Sequence, residues 1–238
     1  MRPALRTVVI ACVVGLTSLA GSTRAVAVPV VPNGGLAGNG TVTVQATADG
    51  RLMVTAWSAP VTGRVAVVVS NGTNRTVRVQ RVDATATNAD GSGTSRASSG
   101  SVVPSVLRPG QWGIGAVRFR QSTVGADDGL AFKVRARRAR SGDPVPLAAG
   151  SFTLSPPHEG PVAQTLAFVV SNGSRRLVVQ PYRTSAVCLD EAGRLTTESG
   201  AVVRRPRTLA ADATAPASIG FPTLCPVYVV GAEATRGR

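Results

Sequence analysis

The sequence predicts an all-β chain, an antiparallel sandwich or barrel repeated in two tandem modules. Three observations carry this reading. Runs of β-branched and aromatic residues alternate with turn residues at short intervals, no window holds a helical period, and part of the chain recurs about a hundred residues on.

The strands follow in order. Thr41 to Thr47 and Leu52 to Trp57 flank Asp49-Gly50, a strong hairpin signal because glycine accepts positive φ. Arg64 to Ser70, Val77 to Thr87, Ile114 to Gln121, Leu130 to Arg138 and Pro146 to Leu154 continue the pattern. Val77 and Val79 point one way, but Val82, Ala84 and Ala86 take the even positions. The alternation slips near Gln80, as a β-bulge would make it. The matching place further on carries Pro181, which cannot donate a ladder hydrogen bond.

The repeat is read from Val67-Val68-Val69-Ser70-Asn71-Gly72, which returns as Phe168-Val169-Val170-Ser171-Asn172-Gly173. Val79-Gln80 then matches Val179-Gln180, Asp90 matches Asp190, Leu107 matches Leu209, and Ile114-Gly115 matches Ile219-Gly220. Two related units explain this shared order. The expected division is a signal peptide over 1–27, a first module over 28–155, a proline-rich connector over 156–161 and a second module over 162–238. Trp57, Trp112 and Phe119 are the expected core aromatics of the first module.

Export is read from the first residues. Arg2 and Arg6 precede an apolar run from Val8 to Leu19, and Ala25-Val26-Ala27 forms a small-x-small cleavage site. The run is shorter than the roughly 20 residues a membrane span needs. A secreted, extracytoplasmic product of the cell envelope is therefore expected, and the Arg-, Ala-, Val- and Gly-rich composition looks bacterial. Loss of Arg2, Arg6 and Arg24 would lower the formal charge from +14 to +11. A surface this basic attracts anionic partners in a salt-dependent way. Outside a cell these are an anionic cell-wall polymer or an acidic protein, with no nucleic acid expected.

Cys188 and Cys225 are the only cysteines after the leader. Cys188 is in phase with Tyr182, Thr184 and Ala186, and Cys225 with Val227 and Val229, so a disulfide is expected. Without a histidine or further cysteine nearby they make a poor metal site, and no cofactor is expected. His158 is the only histidine and sits in the proline-rich stretch, where a general base would lack rigid neighbours. Asp90, Asp127 and Asp128 adjoin glycines and read as turn residues. Asn39, Asn71, Asn74 and Asn172 fit the glycosylation pattern but read equally as turns. No enzymatic constellation emerges.

One surface feature stands out. Alternation puts Lys133, Arg135 and Arg137 on one face of their strand and Phe132, Val134 and Ala136 on the other; Arg118 and Arg120 likewise oppose Val117 and Phe119. If the two strands are neighbours, five cations form one stripe, available to an anionic partner or simply solvated.

The Val-Val-Val-Ser-Asn-Gly opening, the long strand ending in Ala-Thr-Asn-Ala-Asp90-Gly91, and Leu107-Arg108-Pro109-Gly110 before a Gly-x-x-x-Phe strand resemble the FxLYD-type immunoglobulin-like domains of secreted bacterial proteins. Of that family's aromatic-x-Leu-Tyr-Asp signature the first module keeps only the aspartate. The resemblance implies two tandem immunoglobulin-like antiparallel β-sandwich modules, acting as a non-catalytic binding or scaffolding unit. A second resemblance, to periplasmic pilus chaperones, implies an assembly factor that lends an edge strand to a subunit. An accessory subunit of an extracellular enzyme is a further alternative.

Overall fold

A computed structural model describes residues 26–28, 36–120, 124–203 and 205–237. The described residues are strands and turns with no helix. The leader expected over 1–27 lies outside them, apart from Val26 and Ala27.

Three short strands come first: β1 (Val26–Val28), β2 (Ala37–Gly38) and β3 (Val42–Val44). The first half then runs through β4 (Leu52–Trp57), β5 (Arg64–Asn71), β6 (Val77–Thr87), β7 (Thr94–Val103), β8 (Val106–Leu107), β9 (Trp112–Phe119) and β10 (Gly129–Arg138). The second half comprises β11 (Val145–Leu154), β12 (Gln164–Ser171), β13 (Val178–Leu189), β14 (Leu195–Val203), β15 (Thr208–Leu209), β16 (Thr214–Phe221) and β17 (Val227–Arg236).

The pairings correspond strand for strand. β4-β5-β9 in the first half matches β11-β12-β16 in the second, and β10-β6-β7 matches β17-β13-β14. The short β8 adds to β6 as β15 adds to β13. Each half is thus two antiparallel layers around a core, closed along one side only. The closing side differs. In the first half β7 pairs with both β6 and β9, with a register shift between Ser99 and Val102. In the second, β11 pairs with β17 through Val145–Leu147 and then with β12 from Ala148 on.

These pairings move the boundary between the halves. Val145–Leu154 hydrogen-bonds to strands of the second sheet, so it does not end the first module at residue 155. The change of sheet falls at 139–144. Ser155 to Pro161 is then the loop between two neighbouring antiparallel strands, and its prolines mark a turn between them. Strand β4, one side of the expected hairpin, is the counterpart of β11.

The expected bulge is present. Arg135 faces Arg81 and Ala136 faces Val79, leaving Gln80 extra on β6. The equivalent slip between β13 and β17 lies between Val179 and Arg183.

Three apolar clusters hold the molecule. One fills the first half around Val65, Val67, Val82, Leu107 and Phe119, with Trp57 packed against Phe132 at 5.3 Å between ring centroids. One fills the second half around Leu166, Tyr182, Ile219 and Phe221. The third lies between the halves, where Ala56, Ala66, Val68 and Ile114 meet Val187, Leu189, Leu195 and Val229. Trp112 belongs to this third cluster and not to the first module's own core. Strands β5 and β17 are therefore buried on both faces, which is why Val65 to Val69 and Val227 to Val230 are unbroken apolar runs. Polar contacts seal the same interface: Arg64 pairs with Glu198, and the amide and hydroxyl of Ser105 both donate to Glu233 at 2.7 Å.

Cys188 and Cys225 form a disulfide across 37 residues, with both side chains buried. Cys188 lies on β13 as expected. Cys225 reaches the same core from the loop before β17, while Val227 and Val229 face the core between the halves.

Candidate anion-binding face

Strands β9 and β10 are not neighbours: β6 and β7 lie between them. The cations on β9 and β10 nevertheless share one face, because the intervening strands carry their own polar residues there. The register aligns Lys133 with Asp83, Asp83 with Ser98, and Ser98 with Arg118 in one row. In the adjacent rows Ala131 faces Thr85 and Thr85 faces Arg96, while Arg135 faces Arg81. Arg120 follows just beyond Arg118. The resulting groove, about 970 Å³, is lined by Arg81, Arg96, Arg118, Arg120, Lys133 and Arg135 against the single carboxylate of Asp83.

Alternation brings these side chains out. Val82, Ala84 and Ala86 of β6 point into the core, which turns Arg81, Asp83 and Thr85 to the other face. On β7 the core-facing Ala97 and Ser99 leave Arg96 and Ser98 outside. Neither Arg81 nor Arg96 is among the cations expected from the sequence. Arg81 lies at an outward position of an expected strand, and β7 is so rich in serine, threonine and glycine that it lacks the apolar rhythm of a strand.

Cross-strand arginine pairs recur here, each met by one carboxylate. Arg81 and Arg135 both bond Asp83, at 3.0 and 2.6 Å. The hydrogen bond from Arg135, with the charge of Arg81 nearby, holds the Asp83 carboxyl below its usual range. Arg78 faces Arg137, and Asp143 accepts from both: 2.7 Å from Arg78 Nη1 to Oδ1, and 2.8 Å from Arg137 Nη1 to Oδ2. Arg64 faces Arg118, and Glu198 of the second half takes Arg64. Like charges directly opposite one another are destabilising, and these carboxylates offset that cost.

Two of the five expected stripe cations are thereby engaged. Arg137 is withdrawn from the stripe by the buried Asp143, and Arg135 is paired at the groove wall. Arg96, Arg118, Arg120 and Lys133 make no ion pair among the described residues. They are the unpaired cations of the face. Among the described residues no group of three or more His, Cys, Asp or Glu side chains could hold a metal ion.

These features define a class: an all-β protein of two antiparallel sandwich-like halves, one with a disulfide and one with an exposed basic sheet face. Among the described residues no helix is long and apolar enough to cross a membrane. Comparison with protein-family models, curated proteins and solved structures finds no match.

Proposed function

We propose that the chain is a non-catalytic, extracytoplasmic binding or scaffolding protein of two immunoglobulin-like modules, whose basic face on β10-β6-β7-β9 takes an anionic polymer of the cell envelope. The observation that carries this reading is the uncompensated set Arg96, Arg118, Arg120 and Lys133 on one exposed, continuous sheet surface. The fold gains nothing from leaving these charges unpaired, whereas a polyanion laid across the sheet meets all four. The leader-like first residues and the disulfide are both consistent with an oxidising compartment outside the cytoplasm. The matched layers β4-β5-β9 with β10-β6-β7, and β11-β12-β16 with β17-β13-β14, support the immunoglobulin-like reading of each half.

The test is co-sedimentation of the purified protein with isolated cell-wall material at low and high salt. The expected result is binding at low salt that weakens as salt screens the charges. It should fall at least tenfold in a variant carrying Arg96→Gln, Arg118→Gln, Arg120→Gln and Lys133→Gln. Absence of binding at low salt, or equal binding by the variant, would overturn the proposal.

A further inference from the structure

A second concave feature, about 680 Å³, lies where the two halves join, toward the opposite end of β6 and β10 from the basic face. Turns build its walls. Thr76 comes from the turn before β6, Arg108 and Gln111 from the turn between β8 and β9, Arg140 from the link between the halves, Ser174 from the turn between β12 and β13, and Arg236 from the end of β17.

These walls are held in place from within. Asn71 Nδ2 donates to the carbonyls of Arg75 and Leu107, the residues just before Thr76 and Arg108. Gln111 Oε1 accepts from the Arg108 amide. Asn172 Oδ1 accepts from the Ser174 amide, and Asp143 Oδ2 accepts from the Arg140 amide. The cleft is thus formed before any ligand arrives.

Its electrostatics are one-sided. Arg108, Arg140 and Arg236 line it, and none of them pairs with a carboxylate among the described residues. Among the described residues the one acid in the wall, Asp143, is already occupied by Arg78 and Arg137. Arg236 lines the cleft from the end of β17 and is half-buried there. Guanidinium groups match carboxylate and phosphate oxygens in pairs, and the cleft is of the size that holds small ligands.

We propose that the cleft between the halves is a second binding site, which takes a single oxyanion group, a phosphate or a carboxylate, with Arg236 as its anchor and Arg108 and Arg140 flanking it. This site is independent of the basic face, which offers an open surface to a polymer.

The test is titration of the purified protein with inorganic phosphate and, separately, with malonate, at ionic strength held constant with chloride, followed by backbone amide chemical shifts. The expected result is saturable change at residues 108–111, 139–143, 173–174 and 236, with the tighter of the two probes identifying phosphate or carboxylate as the natural group. Affinity should fall at least tenfold in Arg236→Gln and stay unchanged in an Arg118→Gln, Arg120→Gln variant. If Arg236→Gln does not fold, the Arg108→Gln, Arg140→Gln variant, altered only in turns, carries the same expectation. Shifts that fail to saturate with both probes, that persist unchanged in the cleft variants, or that map to the basic face would overturn the proposal.

Discussion

Asn71 and Asn172 occupy the same place in the two halves and make the same bonds. Asn71 ends β5 and Asn172 directly follows β12, and each is buried, 1% and 0% exposed. Each donates through Nδ2 to the carbonyl four residues on, Arg75 or Arg176, and to a leucine carbonyl at the far turn, Leu107 or Leu209. Each accepts through Oδ1 from the amide two residues on, Thr73 or Ser174. One side chain thus ties together two turns that are distant in sequence. Asn172→Ala is expected to lower stability by roughly 2 to 4 kcal/mol, since several buried partners lose their bonds at once, and Asn71→Ala by a similar amount. Urea denaturation would measure both. The burial has a second consequence: expressed in a glycosylating host, the protein should carry no sugar at Asn71 or Asn172, which peptide mass analysis would check.

This pair shows what the sequence reveals and what it hides. The Ser-Asn-Gly match exposes the repeat, because a turn that needs a buried amide keeps its residues while the strands around it drift. The bulge at Gln80 was legible for a similar reason: a slip in a period-two pattern can be counted on one strand. The disulfide was legible from cysteine number and the expected compartment, although Cys225 reaches the core from a loop and not in the phase expected of it. The division of the halves was not legible. A proline-rich stretch looks alike whether it links domains or joins adjacent strands, and only pairing tells them apart. The core between the halves carried a signal that alternation cannot use, the unbroken apolar run of Val65 to Val69. Of the basic face, the cations on β9 and β10 were visible, but their neighbours on β6 and β7 required the strand order.

Asp143 should make stability acid-sensitive. Burial alone raises its carboxyl, but hydrogen bonds from Arg137, the Arg140 amide and Arg78 outweigh this and hold the pKa at about 2. A carboxyl with a depressed folded-state pKa contributes stability that is complete above its unfolded value, near 3.9, and is lost as pH falls through the folded value. Thermal unfolding should therefore show a loss of on the order of 2 kcal/mol between about pH 4 and pH 2. Asp143→Asn should remove that part of the acid dependence. It should also destabilise the protein at neutral pH, because Arg78 and Arg137 are left facing each other. An unchanged acid limb in the variant would contradict this assignment.

Glu233 should act in the opposite sense. It is 2% exposed at the contact between the halves, and burial pushes its carboxyl up, only partly offset by the two hydrogen bonds from Ser105 and the charges of Arg183 and Arg78. A carboxyl with a raised folded-state pKa favours the folded protein at low pH and withdraws that support as pH climbs past its ordinary value. Glu233→Gln keeps an oxygen for Ser105 without the charge. The variant should match the parent in mildly acidic buffer and equal or exceed it at neutral pH, giving a flatter stability curve over that range. A variant less stable than the parent at neutral pH would show that the charge itself is needed at the interface.

The disulfide should matter for the second half more than for the first. It closes a 37-residue loop from β13 to the segment before β17, and both sulfurs sit in the core that contains Tyr182 and Phe221. The strands of the first half carry no cysteine, and their own core is rich in valine. On the chain-entropy account, closing a loop of this length contributes roughly 3 to 4 kcal/mol. The double variant Cys188→Ser, Cys225→Ser should lower the unfolding midpoint accordingly, and a reductant should bring the parent to nearly the same value. Because the third core and the Arg64–Glu198 and Ser105–Glu233 contacts join the halves, loosening the second should also speed amide exchange on β5 and β9, where Val68 and Ile114 face Val187 and Val229. Exchange on β6 and β10, away from that interface, should change far less. Equal acceleration throughout the first half would mean that the two halves unfold as a single cooperative unit.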